Sequence, residues 1–346
     1  MSNTQNTKLT AQQRAALFSA STRQHFQMIG QQDTAEATTL EFRVPKARIL
    51  QGIRLYVEAD VQGAGDSALV DKLAAYDILR RISIDLNNGF SPIVCGGREM
   101  AYINMLYPNA EMVVGATDSH TLCQIPESIK AGSNKFEFML DLPLTLNYRD
   151  TSGLILAQNA ETTISVVCDI ANASVIAAGA TYNNVKVTAM TTTFSVPRDS
   201  QCFPDLSILR VVDSRSETFT AGSAYVKLPT GMIYRKLILC FTDAEGNPMT
   251  PEQITSNIEL VLNTADIPYS ISPKMLRAVN KMQNGVEMPT GVYFWSFDYQ
   301  GVIGMGGSRD YIDAERVSEF SVRFNAACAG KVTVISEKLS RLIANA

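Results

Sequence analysis

Histidine is almost missing from this chain: His25 and His120 are the only two among 346 residues. A cupin-type metal site needs a cluster of histidines, and a His-Glu-x-x-His helix needs two on one turn, so both are excluded. A Ser-His-Asp or Cys-His arrangement would have to rest on one of these two side chains alone. Six cysteines occur, Cys95, Cys123, Cys168, Cys202, Cys240 and Cys328, and no two lie closer than 28 residues. Zinc ribbons and thioredoxin-type motifs are thereby absent, and free buried thiols are expected. No apolar run approaches the roughly 18–20 residues of a spanning helix. The start, Met1 to Thr7, has neither the basic nor the apolar region of a secretion signal, so use without export is expected. Charge is also scarce, 18% against the ~25% usual in globular proteins. The balance of 30 basic and 34 acidic residues, net −4, argues against packaging nucleic acid directly.

Apolar residues are plentiful at 46%. They can fill sizeable cores and exclude a disordered chain. The length predicts two domains on the basis of about 100–200 residues per domain. The polar, Gln-rich beginning carries one helix signal, the capping-box spacing Thr10-Ala11-Gln12-Gln13, which predicts a helix from Ala11 to about Arg23. Leu17 and Phe18 form its thin apolar side, with Arg14 and Arg23 as its charges. Such an arm either rests on its own domain or a neighbour, or touches an anionic membrane surface through Arg14, Leu17, Phe18 and Arg23.

From residue 26 short alternating runs follow one another, separated by Gly, Asn, Asp and Pro. They include Thr39–Val44, Ile53–Val57, Ile82–Leu86, Phe136–Leu140, Thr163–Val167 and Val185–Thr188. The series resumes with Lys236–Phe241, Ile258–Leu262, Tyr293–Phe297, Glu319–Phe324 and Lys331–Ile335. Period-2 runs bounded by turn formers predict half-buried antiparallel strands, hence an all-β chain with few helices.

The chain also repeats itself. Val44-Pro45 with Ile49, Ile53, Leu55 and Val57 matches Leu228-Pro229 with Ile233, Leu237, Leu239 and Phe241, 184 positions later. Ile78, Ile82, Ile84, Leu86, Asn87 and Pro92 match Ile254, Ile258, Leu260, Leu262, Asn263 and Pro268, 176 positions later. That second block runs on into paired helical stretches, Gly97–Asn104 and Pro273–Asn280. Ile164-Ser165-Val166 and Val185–Thr188 resemble Phe320-Ser321-Val322 and Lys331–Val334. A unit this long is a whole β-sandwich rather than a solenoid repeat. The expected boundaries are an arm over 1–25, a first domain over 26–194, a linker over 195–205, a second domain over 206–336 and a tail over 337–346. An insertion rich in Gly, Ser, Thr and Asp, Glu111–Asn134, is expected to be a long loop at one end of the first sandwich.

Few residues offer chemistry. Asp118, His120 and Cys123 could touch one metal but lack a fourth ligand, so a solvated loop is the expectation. Gly301–Gly307 has no following helix and no Lys-Ser/Thr, which makes it a wide turn rather than a phosphate loop. Asp298 and Asp310, with Asp313 and Glu315 beyond, could pair as carboxylates but are expected on exposed turns. Tyr293–Tyr299 alternates as a strand with an aromatic core face, the alternative being a stacking platform. Asn172-Ala173-Ser174 is a glycosylation sequon by pattern only. No catalytic residue, cofactor or metal is expected.

Together the paired starts Val44-Pro45…Val57 and Leu228-Pro229…Phe241, the helices at 97–104 and 273–280, and Leu140–Leu144…Gly153-Leu154-Ile155 carry a resemblance. Over residues 26–336 the chain resembles the double jelly-roll major capsid proteins of tailless icosahedral double-stranded DNA viruses, the lineage of tectivirus phages and adenovirus hexon. The resemblance implies two tandem eight-stranded jelly-roll sandwiches with a few short helices and an N-terminal helical arm. It implies a homotrimer whose six similar rolls give a pseudo-hexagonal block tiling the shell, with lateral trimer contacts and other capsid or vertex proteins as partners. It also implies a virion location after assembly in the host cytoplasm, and an arm facing an internal membrane. The alternatives are a minor vertex or spike protein, and a glycan-acting enzyme or glycan-binding module built on two sandwiches.

Overall fold

The computed structural model describes residues 9–69, 73–87, 89–106, 125–126, 128–146, 151–204, 206–284, 287–297 and 311–341. Among the described residues, eight strands of five residues or more make the first half: β1 (Gln24–Thr34), β2 (Thr39–Arg43), β3 (Ile49–Gly63), β4 (Leu79–Leu86), β5 (Phe90–Cys95), β6 (Gly132–Pro143), β7 (Ile164–Ile170) and β8 (Thr181–Phe194). Eight more make the second: β9 (Ile208–Phe219), β10 (Gly222–Lys227), β11 (Ile233–Asp243), β12 (Ile258–Leu262), β13 (Asp266–Ile271), β14 (Val292–Ser296), β15 (Phe320–Ala326) and β16 (Gly330–Arg341). Three helices accompany them, α1 (Ala11–Ser21), α2 (Gly97–Met105) and α3 (Pro273–Asn284). The sheet orders are β1-β8-β3-β6 with β2-β7-β4-β5, and β9-β16-β11-β14 with β10-β15-β12-β13. Adding eight to each strand of the first half gives the second half in the same order. Each half is an eight-stranded jelly roll, and the chain is all-β with a tandem duplication.

Alternation builds each core. In β3, Ile53, Leu55, Val57, Ala59 and Val61 point inward and meet Phe136, Phe138, Leu140 and Leu142 of β6 and Val166 and Cys168 of β7. Full burial of side chains this size stabilises by about 1.5–3 kcal/mol each. The second core stacks aromatics: Phe241 meets Phe324 edge to face at 4.9 Å, and Phe219 meets Phe324 at 5.1 Å.

Equivalence of the halves extends to single hydrogen bonds. Val44 N–H donates to Ile164 O at 2.9 Å, and Leu228 N–H donates to Phe320 O at 2.8 Å. Strands β3 and β11 carry the same bulge, at Gln51 and at Arg235. Asn87 and Asn263 both sit in the left-handed region, with φ of 53° and 50°. Asparagine tolerates this conformation, and each side chain accepts a backbone N–H from the strand entry opposite, Thr163 or Ser318, at 2.8 Å. Asn104 of α2 donates to Asp141 O and accepts from Asp141 N–H, both at 2.8 Å. Asn280 of α3 does the same to Phe294, at 2.7 and 3.0 Å.

Several boundaries differ from the sequence expectation. The arm helix ends at Ser21 and β1 begins at Gln24, inside the expected 1–25 arm. Its polar run Gln24–Thr34 hides an edge strand, whose outer side does not need apolar residues. The expected tail over 337–346 begins too early, because β16 continues to Arg341 and buries Glu337 and Lys338. Strands β5, β9, β10 and β13 lie outside the expected runs, since Pro92 and Pro268 interrupt β5 and β13, and charges and serines break the alternation of β9 and β10. Residues 111–124 and 127 of the expected insertion lie outside the described residues; Ser128–Ile129 pairs with Ser67–Ala68, and β6 already starts at Gly132.

Candidate assembly surfaces

The two rolls are joined edge to edge. Strand β9 of the second roll pairs in parallel with β5 of the first, Val212 opposite Ile93 and Asp213 opposite Val94. One sheet of each roll thereby merges into a continuous path, β14-β11-β16-β9-β5-β4-β7-β2. The sheet β9-β16-β11-β14 is covered on both faces. Leu237, Leu239, Phe241, Tyr293 and Trp295 enter the second core, while Ile238, Val292, Phe294 and Ile335 enter the first. Two-sided burial is the reason Leu237–Phe241 and Val292–Trp295 read as unbroken apolar runs. Tyr293, Phe294, Trp295 and Phe297 are all buried, so they form no exposed stacking platform. The half-buried strand expected there is corrected to a fully buried one.

A charged cluster sits at this seam. Arg210 of β9 is buried and donates to the carbonyl of Pro143 at the end of β6 and, at 2.8 Å, to Glu337 of β16. Lys236 Nζ lies 3.7 Å from the same carboxylate. Lys338 Nζ and Ser336 Oγ both donate to Asp213, the β9 residue that faces Val94 of β5. Burial alone would raise the Glu337 carboxyl, but the Arg210 guanidinium and then Lys236 hold it down at about 2. The ion pairs lie within the second roll, and Arg210 clasps them to the first through the Pro143 carbonyl; composition alone does not single out these residues.

The arm residues separate. Phe18 is 2% exposed and packs edge to face on Phe194 at 5.3 Å, in a small core with Ile49, Leu154, Phe203 and Leu206. It is corrected as a membrane-facing residue, because its ring is committed to the join between β3, β8 and the linker. Leu17 is 39% exposed, Arg23 is exposed and Arg14 half-buried. Thr10 and Gln13 form the reciprocal cap the spacing predicts, and Arg23 exchanges bonds with Ser195 at 2.9 Å. Phe18→Ala is expected to cost about 3 kcal/mol at this join and to release α1. Limited proteolysis should then cut N-terminal to Thr22 while the rolls stay intact; an arm as resistant as the parent's would contradict the anchoring role.

Asp118, His120, Cys123, Asp298, Tyr299, Gly301–Gly307 and Asp310 lie outside the described residues. Asp313 and Glu315 are exposed and joined by a local bond, Glu315 N–H to Asp313 Oδ1 at 2.9 Å. Asn172 caps a short 3₁₀ turn by accepting from Ser174 N–H at 3.1 Å. His25 lies half-buried in β1. Among the described residues no three of His, Cys, Asp and Glu gather as a metal site, and the described cysteines are unpaired. Cys95 and Cys168 are buried, and burial pushes the Cys168 thiol up to about 12, while Cys202, Cys240 and Cys328 are only partly covered.

No protein-family model and no curated protein sequence matches the chain. Solved structures do match in fold. The MCP of Sulfolobus Turreted Icosahedral Virus (STIV) aligns with a TM-score of 0.71 at 13% identity, over 94% of this chain and 100% of its own. The PBCV-1 virus capsid aligns with 0.66 at 10% identity, over 92% and 94%. The major capsid protein P2 of bacteriophage PM2 aligns with 0.57 at 11% identity, over 93% and 99%. Identities this low carry the fold and no residue-level correspondence. Over more than nine-tenths of its length, this chain has the double jelly-roll fold seen in the major capsid proteins of icosahedral viruses.

Proposed function

We propose that the chain is a major capsid protein, three copies of which form a pseudo-hexagonal block that tiles an icosahedral shell. One observation carries this reading: two equivalent rolls stand side by side, clasped through a strand edge and a doubly buried sheet. A block with repeated lateral faces makes similar contacts all round, which a flat shell facet needs and a catalytic cleft does not. The fold shared with capsid proteins across nearly the whole chain supports the same role. The proposal extends to a virion location after assembly in the host cytoplasm, with the chain itself and other capsid or vertex proteins as partners.

Copy number tests the proposal. Virions resolved on a denaturing gel should show this chain as the dominant band. A scarce band would move the assignment to a vertex or spike protein, and turnover on a glycan panel would move it to an enzyme.

Among the described residues no helix is long and apolar enough to cross a membrane. Contact with an internal membrane is instead proposed for the outward side of the arm, Leu17 with Arg23. Deleting residues 1–24 should loosen the membrane from the shell; unchanged association would contradict that contact.

A further inference from the structure

The seam inside the chain joins a donor surface to an acceptor surface, and the duplication supplies each of them once more, unmated. The internal donor is the sheet β9-β16-β11-β14, whose edge strand β9 pairs with β5 and whose outer face covers the first roll. The internal acceptor is β5 with helix α2.

The second acceptor is β13 with α3. Ile93 faces Ile84 and Tyr269 faces Leu260; Val94 faces Ser83 and Ser270 faces Glu259. Each correspondence spans 176 positions, so Tyr269 and Ser270 stand where Ile93 and Val94 stand. Among the described residues no strand pairs with the outer edge of β13. Beside that edge lies an open cavity of about 330 Å³, lined by Tyr269, Leu276, Val279, Trp295 and Phe297. Where α2 is buried from Met100 to Met105, α3 leaves Met282 74% exposed, and Tyr269 is 37% exposed.

The second donor is the sheet β1-β8-β3-β6. Thr192 opposes Gly52 and Glu337 opposes Lys236, equivalent positions in β3 and β11. Phe26 opposes Thr192 and Val212 opposes Glu337. Phe26 is therefore the counterpart of Val212, and Gln27 that of Asp213. Strand β1 is likewise an edge strand with one unpaired side. Phe26 and Met28 are 56% and 57% exposed, whereas Val212 is buried in the seam. Met139 and Met190, half-buried, take the places of Val292 and Ile335 on the outer face. Free edges flanked by exposed large apolar side chains are surfaces that another chain covers.

We propose that the occupant is a second copy of this chain: Phe26 and Gln27 of one copy pair in parallel with Tyr269 and Ser270 of the next, placing the Phe26 ring in the cavity beside α3. Each copy carries both surfaces, so the contact is head to tail, and its closure into a ring rests on the trimer proposed above. The pairing follows from the duplication; only the number of copies rests on the trimer proposed above.

Two experiments on the full chain test it. The double variant Phe26→Cys with Tyr269→Cys should form covalent dimers and trimers on oxidation, while each single variant forms none above the parent. Phe26→Asp and Tyr269→Asp should each weaken association about a hundredfold or more, seen as monomer by sedimentation; the melting temperature of the separated chain should be retained in Phe26→Asp, whose side chain is 56% exposed, whereas Tyr269→Asp also loses its packing on Trp295 and Phe297. A trimer that survives both aspartates and gives no cross-link overturns this surface and leaves the trimer standing. A parent that is monomeric at every concentration overturns both.

Discussion

Replacing Glu337 by alanine is expected to cost about 3–5 kcal/mol of stability, because it leaves the buried cations Arg210 and Lys236 without their shared anion. The loss should appear as a lower denaturant midpoint, and as separation of two unfolding transitions, since this cluster ties β9 and β16 of one roll to Pro143 of the other. Substituting Glu337 by glutamine adds a pH test. The Glu337 carboxyl titrates at about 2 in the folded chain, below its ordinary value of 4.5. A group depressed on folding stabilises fully above its unfolded value, and the contribution disappears as pH falls through the folded value. Parent stability should therefore decline between about pH 4.5 and 2, and Glu337→Gln should lack that component of the decline. A variant that loses less than about 1 kcal/mol would show that the clasp contributes no more than an exposed ion pair.

The second large effect is expected twice. Asn104→Ala and Asn280→Ala each strip a strand residue, the half-buried Asp141 or the buried Phe294, of partners for both its N–H and its C=O. Leaving a buried backbone group unsatisfied costs about 1–3 kcal/mol, so each variant should lose about 2–4 kcal/mol. Aspartate at either position keeps an acceptor for the strand N–H but loses the donor and adds a buried charge, so it should be no better than alanine. Equal losses in both halves would express the duplication as energetics. A neutral effect at one position and a large one at the other would break the equivalence there.

The duplication was legible because core-facing side chains and special backbone positions leave their mark in sequence. The paired blocks around Leu55 and Leu239 are the inward faces of β3 and β11, and Asn87 and Asn263 are fixed by their left-handed turns. Edge strands were illegible for the opposite reason. Gln24–Thr34 and Asp266–Ile271 have a side that faces away from any core of their own chain, so polar residues interrupt their alternation. The relation between rolls was hidden as well. Unbroken runs such as Leu237–Phe241 reveal two-sided burial only once the partner across the second face is known, and Ile238 meets residues far away in the chain. In the arm, spacing located the helix cap, but Phe18 found its partners Phe194 and Phe203 through the tertiary fold alone.

The proposed subunit mates with copies of itself as its two rolls mate with each other. Sedimentation equilibrium of the purified full chain measures this most directly. A single species of three times 37.8 kDa, holding together on dilution to low micromolar concentration, is the predicted result. A stable monomer over the same range, with both rolls folded, would contradict it.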